Sequence, residues 1–259
     1  GSIGSELVRQ LHQSNEVFIL DNNETAFFDL AEELDLQGRV ADIRDRDLVH
    51  EIFYDFRPAY VFHAAALKHV TPSMQTPREY VQTNLLGTLN VLDAAKRFQV
   101  EKFINISTDK AVNCENVMGW TKKGTEMFTK IHGGISVRFG NVLGSRGSVV
   151  TLWQKQIEEG KSVTVTDERM ERYMMSIEEA VELVIEAAEK GRGGEVFILD
   201  LEKRKINVLE LAKKIINESG QDVPIKIIGA RPGEALSEDL MTHAEKEKCE
   251  KEGKFFVIR

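Results

Sequence analysis

The chain has 259 residues, 42% of them apolar and 29% charged, with a formal charge of −8, so it can bury a real core and fits one large domain or two modest ones. No apolar run approaches the roughly 20 residues that span a bilayer, and no secretory leader pattern opens it, so a cytoplasmic protein is expected. The net charge argues against a general nucleic-acid binder while leaving room for a local basic pocket, and two isolated cysteines, Cys114 and Cys249, exclude a disulfide framework or a zinc site and are expected to be inert.

In "GSIGSELVRQL" two glycines, Gly1 and Gly4, precede Leu7, Val8 and Leu11 at helical spacing, which puts Gly1, Ser2, Ile3 and Gly4 at a helix N-terminus whose free amides and dipole favour a pyrophosphate. Gly1 and Ser2 have a second reading as a cloning remnant, which leaves Gly4 untouched. The next strand, "VFIL", ends in Asp21, about 20 residues after Gly1, where an acidic side chain meets a ribose 2′-hydroxyl. That carboxylate favours NAD over NADP, although Asn22 and Asn23 beside it soften the preference. Asp42 and Ile43 in "VADIRD" follow a further strand, with Asp42 placed to hold an adenine amine. "AYVFHAAA" ends in Ala64, Ala65 and Ala66, small residues that either let a dinucleotide lie flat or simply pack a helix.

Helical periodicity is clear over 78–98, from Val81 through Leu85, Leu89, Leu92 and Ala95. "KFINIS" then leads into "STDKAVN", and because open parallel sheets bind ligands at the carboxyl ends of their strands, Ser107, Thr108, Asp109 and Lys110 are placed to reach a substrate. Lys122 falls in a predicted helix. After "ISVRFG" the chain has shorter helices and more turn residues, so a boundary is placed near Phe139, giving a dinucleotide-binding domain over 1–139 and a substrate region over 140–259. "FGNVLGSRGSVV" enters a helix near Ser148, "SVTVT" and "EVFILD" are strands around a helix over 176–189, and "IKIIG" precedes "RPGE". There Arg231 can fork onto a diphosphate while Glu234 accepts from ribose hydroxyls. Residues 236–252, rich in both signs of charge, are expected to form a solvated helix.

The alternation of strands and helices predicts an α/β fold with a mostly parallel sheet. The ordered set "GSIGSELVRQL", "DIRD", "HAAALKHV", "TNLLGTLNVLDAA", "STDKAVN", "NVMGWTKK", "VRFGNVLGSRGSV" and "RPGE" resembles the extended short-chain dehydrogenase/reductases, and among them the UDP-N-acetylglucosamine 4,6-dehydratase family of polysaccharide biosynthesis. The resemblance covers nearly the whole chain. It implies a Rossmann-like, doubly wound parallel sheet with a smaller C-terminal α/β substrate-binding region, and it leaves the first strand and the front of the glycine turn outside the sequence. Membrane attachment would come only from a segment ahead of Gly1. The resemblance also implies tightly held NAD, with NADP the alternative, a UDP-sugar substrate and a homo-oligomer.

For the chemistry, the resemblance implies oxidation of C4 to a ketone, which makes the C5 proton acidic, followed by loss of the 6-hydroxyl. Asp109 protonates the departing oxygen and Lys110 removes the C5 proton. Ser107, Asn84 and Lys122 belong to the cofactor set, and Lys68, Asn141, Ser145, Arg146 and Val149 to the sugar-nucleotide set. Thr166 and Arg172 are candidates too, although "DERMER" reads equally well as a solvated charged loop. One position departs from the wider superfamily: the Tyr-x-x-x-Lys motif stands here as "MGWTK", with Met118 in place of the tyrosine. Methionine cannot carry the 4-hydroxyl proton, so another group has to accept it, with Asp109, Lys122 and a water beside Thr108 as candidates. Trp120 stands where the family usually has alanine, and it either crowds the cofactor or faces outward. A 4-epimerase, a C5-inverting dehydratase and a non-catalytic sugar-nucleotide sensor remain the alternatives.

Overall fold

A computed structural model describes residues 1–201 and 204–259. In chain order the first half runs α1 (Ser2–Leu11), β1 (Phe18–Asp21), α2 (Glu24–Leu34), β2 (Gln37–Val40), α3 (Arg46–Phe56) and β3 (Tyr60–His63). It continues through α4 (Val70–Gln75), α5 (Pro77–Tyr80), a π-helical turn (Val81–Gly87), α6 (Thr88–Arg97), β4 (Lys102–Thr108), a 3-10 turn (Asp109–Ala111), α7 (Val117–Ile131) and β5 (Ile135–Phe139). The second half comprises β6 (Asn141–Val142), α8 (Val149–Glu158), β7 (Val163–Val165), β8 (Glu171–Met175), α9 (Ile177–Lys190), β9 (Val196–Leu199) and β10 (Lys205–Asn207). It ends with α10 (Val208–Ser219), β11 (Ile225–Ile227), α11 (His243–Lys246), β12 (Glu250–Glu252) and β13 (Phe255–Ile258).

The main sheet has the order β12-β13-β9-β5-β4-β3, with β3, β4, β5 and β9 parallel and β13 and β12 antiparallel at one edge. β5 is buried along its whole length and β4 over most of it because helices cover both sheet faces. α9 packs one face through Ala180, Val181, Leu183, Val184, Ala187 and Ala188, its start fixed by a Ser176–Glu179 capping box. α3 and α6 cover the other face. The expected parallel α/β architecture is therefore present.

β1 and β2 form a separate parallel pair. Among the described residues β1 is bonded only to β2 and β3 only to β4, so two open strand edges face a slot lined by Leu7, Leu11, Phe27, Phe53, Val61 and Ile185. This is the gap expected of a sheet short of one strand.

The division at Phe139 holds less well. β9, β12 and β13 return to the main sheet, because the apolar α9–β9 unit covers a parallel edge that would otherwise be open. The substrate region is thus built mainly from β6, β8 and β10, the β7–β11 pair, α8 and α10, around a small core centred on buried Trp153. The charged stretch 236–252 is not a solvated helix either. It holds only the four-residue α11 and strand β12, because two of its glutamates are drawn into the interior.

One of them closes a buried ion cluster. Arg138 on β5 has no exposed surface; it donates to Glu126 of α7 at 2.8 and 3.0 Å, to Glu245 of α11 at 3.0 and 3.1 Å, and to the Leu240 carbonyl at 2.8 Å. Burial alone would raise the Glu245 carboxyl, but the hydrogen bonds and charge of Arg138 outweigh it and pull it down to about 2. Its stabilising contribution is therefore complete above the ordinary carboxylate range and is lost as pH falls from about 4.5 towards about 2. Arg138→Met strands two acids in the interior and is expected to cost about 3–5 kcal/mol, read from the urea midpoint at unchanged slope; a loss under about 1 kcal/mol would contradict the clamp.

Candidate active site

The carboxyl ends of β3, β4 and β5 open into a continuous cleft of about 1870 Å³ that includes the slot between the two sheets. Its size exceeds the usual range for one small ligand and gives room for two. On one side lies the start of α1, with Gly1, Ser2, Ile3 and Gly4 on the wall and Asp21 beside them; the Gly1 nitrogen is 3.9 Å from the Asp21 carboxylate. A side chain at Gly4 would meet only the Cβ of Ala64, at an ordinary 3.8 Å. Ile43, Ala64, Ala65, Ala66 and Ser107 complete this wall.

Three residues expected here sit off the wall. Asp42 is taken up by Arg44, whose guanidinium reaches it at 2.6 and 2.9 Å and holds its carboxyl below the usual range. The Asn22 side chain lies beside that same carboxyl and helps to lower it. Asn84 is buried in the π-helical turn, where its amide bonds both backbone groups of Leu67, at 2.7 and 2.9 Å, and the Thr121 hydroxyl at 3.0 Å. It braces the loop that carries Lys68. A π-turn at such a place re-aims one side chain inward.

The catalytic turn follows β4 directly. Thr108 and Lys110 line the cleft. The Lys110 Nζ donates to Asp109 Oδ1 at 2.9 Å and to Asn141 Oδ1 at 3.1 Å, and the Thr108 hydroxyl donates to the same Asp109 oxygen at 2.9 Å. Asp109 itself has no exposed surface, and its Oδ2 has no hydrogen-bond partner. This corrects the expectation that its carboxyl meets the sugar directly: the 3-10 turn folds that side chain inward, so it reaches the cleft only through Thr108 and Lys110.

α7 supplies the opposite wall. Its N-cap Asn116 accepts from the Gly119 amide at 2.8 Å, and Gly119 brings the helix onto the catalytic turn so closely that any Cβ there would run into the Lys110 carbonyl oxygen. One turn along, Met118 is buried and Lys122 lines the cleft with its side chain almost wholly covered. Among the described residues nothing accepts a hydrogen bond from the Lys122 amine. Burial lowers it to about 8, against the opposing charge of Glu126. A covered cation pointing into a cleft, beside the free amides of α1 and the alanine shelf, fits a dinucleotide. Beneath it, burial and Lys122 hold His63 at about 3, so its ring is neutral. Trp120 faces outward, 56% exposed.

On the substrate side, Lys68, Asn141, Ser145, Arg146, Val149, Arg231 and Glu234 all line the cleft. The Lys68 amine donates to the Arg146 carbonyl at 2.5 Å, and the Arg146 amide donates to the Ser2 hydroxyl at 2.9 Å, so the loop after β6 lies across the start of α1. Thr166 and Arg172 stand off the cleft wall. The Thr166 hydroxyl rests on the Met170 sulfur. Arg172, on strand β8 and not in a solvated loop, spends its guanidinium on the carbonyls of Glu171, Ala235 and Leu236 and so supports the segment after "RPGE". Sequence reasoning missed Glu238, which approaches Lys110 to 3.9 Å.

The Lys122 amine gives a signed prediction. Its folded-state value near 8 lies below the ordinary lysine value of 10.5, so the folded protein carries an uncompensated charge below pH 8 that is relieved as pH rises towards 10.5. Lys122→Met is expected to stabilise the free protein by about 1–3 kcal/mol at pH 7, with the gain shrinking to nothing near pH 10.5 in urea unfolding. A variant less stable at pH 7 would contradict this.

The comparisons with known proteins agree with this geometry. A family model described as polysaccharide biosynthesis protein matches residues 1–259. The capsular polysaccharide biosynthesis protein CapD of Staphylococcus aureus is 42% identical over 95% of this chain, and the match spans 44% of CapD's length. The UDP-N-acetylglucosamine 4,6-dehydratase (inverting) of Campylobacter jejuni is 34% identical over 93% of this chain and 75% of its own. A UDP-glucose 4-epimerase of Rickettsia typhi is 34% identical over 100% and 80%. The X-ray structure of Pen from Bacillus thuringiensis superposes with a TM-score of 0.93 at 35% identity, covering 100% of this chain and 85% of that one. With its parallel sheet, glycine-led first helix and strand-end Thr-Asp-Lys turn, the chain belongs to this polysaccharide biosynthesis family of nucleotide-sugar dehydratases and epimerases.

Proposed function

We propose that the chain is the catalytic core of a 4,6-dehydratase that converts UDP-N-acetylglucosamine to a 4-keto-6-deoxy sugar nucleotide. The observation that carries this is the Asp109–Lys110 pair, 2.9 Å apart at the carboxyl end of β4, with the amine on the cleft wall. An epimerase has only to oxidise and reduce C4. A dehydratase has in addition to move a proton from C5 and deliver one to the 6-hydroxyl, and a second proton-carrying pair suits that work.

A nicotinamide dinucleotide, held by the start of α1, Asp21, the alanine shelf and Lys122, would supply the oxidising power at C4 and return it later in the same turnover. NAD is favoured over NADP because the Asp21 carboxylate would repel a 2′-phosphate. The UDP moiety lies along Lys68, Asn141, Ser145, Arg146 and Val149, with Arg231 on the diphosphate and Glu234 on ribose. Lys110 in its neutral form takes the C5 proton. Asp109 in its acid form donates towards the departing hydroxyl through Thr108, whose hydroxyl touches both the cleft and Asp109 Oδ1.

A 4-epimerase is the second reading, favoured by the relative of that name. Purified holoprotein given UDP-N-acetylglucosamine is expected to yield a product lighter by one water with no net reduced cofactor. Asp109→Asn is expected to slow that loss about 10²–10⁴-fold while leaving sugar-nucleotide binding in place. Wild-type protein, folded and cofactor-loaded, that returns substrate of unchanged mass would overturn the dehydratase reading.

A further inference from the structure

Asp109 is sealed from solvent. Its Oδ2 has no partner, and Thr108 and Lys110 both meet its other oxygen. Any proton this carboxyl gives up therefore has to be replaced through one of those two groups. Lys110 is itself only 16% exposed, and the next ionisable group beyond it is Glu238, whose Oε1 lies 3.9 Å from the Lys110 Nζ and whose side chain is 12% exposed.

The segment that bears Glu238 is pinned on both sides. Arg172 donates to the carbonyls of Ala235 and Leu236, Arg138 to that of Leu240, and the Asn113 amide to the Asp239 carboxylate at 3.0 Å. The charged groups facing Glu238 are Lys110 and Asp109 from the catalytic turn, Arg172 from β8, and Glu115 from the loop before α7. Burial raises its carboxyl, Lys110 and Arg172 oppose that, and the two acids reinforce it, so Glu238 can hold a proton and still release it.

We propose that Glu238 is a positioning and proton-holding residue that acts through Lys110, clearing the amine for its work on the sugar and later restoring the proton of Asp109. This rests on the dehydratase reading. Oxidation at C4 frees one hydroxyl proton, elimination at C6 consumes one, and the amine takes one proton from C5 and gives one of its solvent-derived hydrogens back. The first two have to be joined, and Met118 has no group to hold the proton between them. In the relay, the C4 O–H bond breaks as an N–H bond forms on Lys110; that bond breaks in turn as, through one water bridging the 3.9 Å, an O–H bond forms on Glu238, leaving the amine neutral to take the C5 proton. Once C5 has a proton back, the Glu238 O–H breaks as N–H forms on Lys110. That N–H breaks in turn as O–H forms on Asp109. Glu238 ends as a carboxylate, and nothing in the relay is oxidised or reduced.

The test compares Glu238→Gln, Glu238→Asp and Glu238→Ala in cofactor-loaded protein whose fold is checked by circular dichroism. Glu238→Gln is expected to lower kcat about 10²-fold, with KM for UDP-N-acetylglucosamine within roughly twofold. Glu238→Asp is expected to keep most of the activity, and added formate to restore part of it to Glu238→Ala. Independently of any sugar, the pH dependence of Lys110 acylation by an amine-reactive reagent, mapped by mass spectrometry, is expected to shift to lower pH in Glu238→Gln, because a facing negative charge is gone. Wild-type kcat in Glu238→Gln, an effect on KM alone, no formate rescue, or an unmoved Lys110 titration would each overturn the role. A moved Lys110 titration in a protein that releases no water would instead overturn the dehydratase reading and leave the Glu238–Lys110 coupling standing.

Discussion

A carboxyl group with no exposed surface is tolerated in a protein interior only with a proton on it or a cation against it. Asp109 is held under that constraint at the end of β4, with Lys110 2.9 Å away and one oxygen left without a partner. Much of the surrounding architecture serves to keep the two together. β4 delivers them at a sheet end, Gly119 lets α7 close directly onto the Lys110 backbone, and Asn141 of β6 takes another hydrogen of the amine. Enclosure holds the two side chains against each other, away from water.

The same enclosure joins the two halves of the chain. Arg138 starts on the main sheet and ends on α11 and the Leu240 carbonyl, so the segment carrying Glu238 is tied to the strand next to β4. Glu126 links that cluster to the site from the other side, since it also accepts from the Ser107 hydroxyl at 2.7 Å. A buried cluster of this kind is a weak source of net stability, but it fixes one arrangement of its elements. Lys122 illustrates the opposite compromise: a covered amine lowered to about 8 destabilises the free protein and is poised for a ligand.

The glycine-led helix, the strand ending in Asp21, the Thr-Asp-Lys turn and the helix bearing Lys122 were legible because local patterns determine them: helical spacing, strand-end position and motif order. Asp42, Asn84 and Arg172 were legible as polar residues near the site, yet their hydrogen bonds go to Arg44, Leu67 and the segment after "RPGE", partners far away in the sequence for the last two. Glu238 and Glu245 were hidden for a related reason. In a stretch of mixed charge, an acid drawn inward by a distant arginine or lysine looks the same as one facing water. Trp120 resolved the other way, outward, because α7 turns that face from the sheet.

On the dehydratase proposal, the enclosed Asp109–Lys110 pair removes water across C5 and C6 of the sugar. Proton NMR of the product formed from UDP-N-acetylglucosamine in heavy water separates that elimination from epimerisation at C4. The expected product carries a methyl group at C6, a ketone or its hydrate at C4 and deuterium at C5. A sugar inverted at C4 with its hydroxymethyl group intact and protium still at C5 would contradict the proposal.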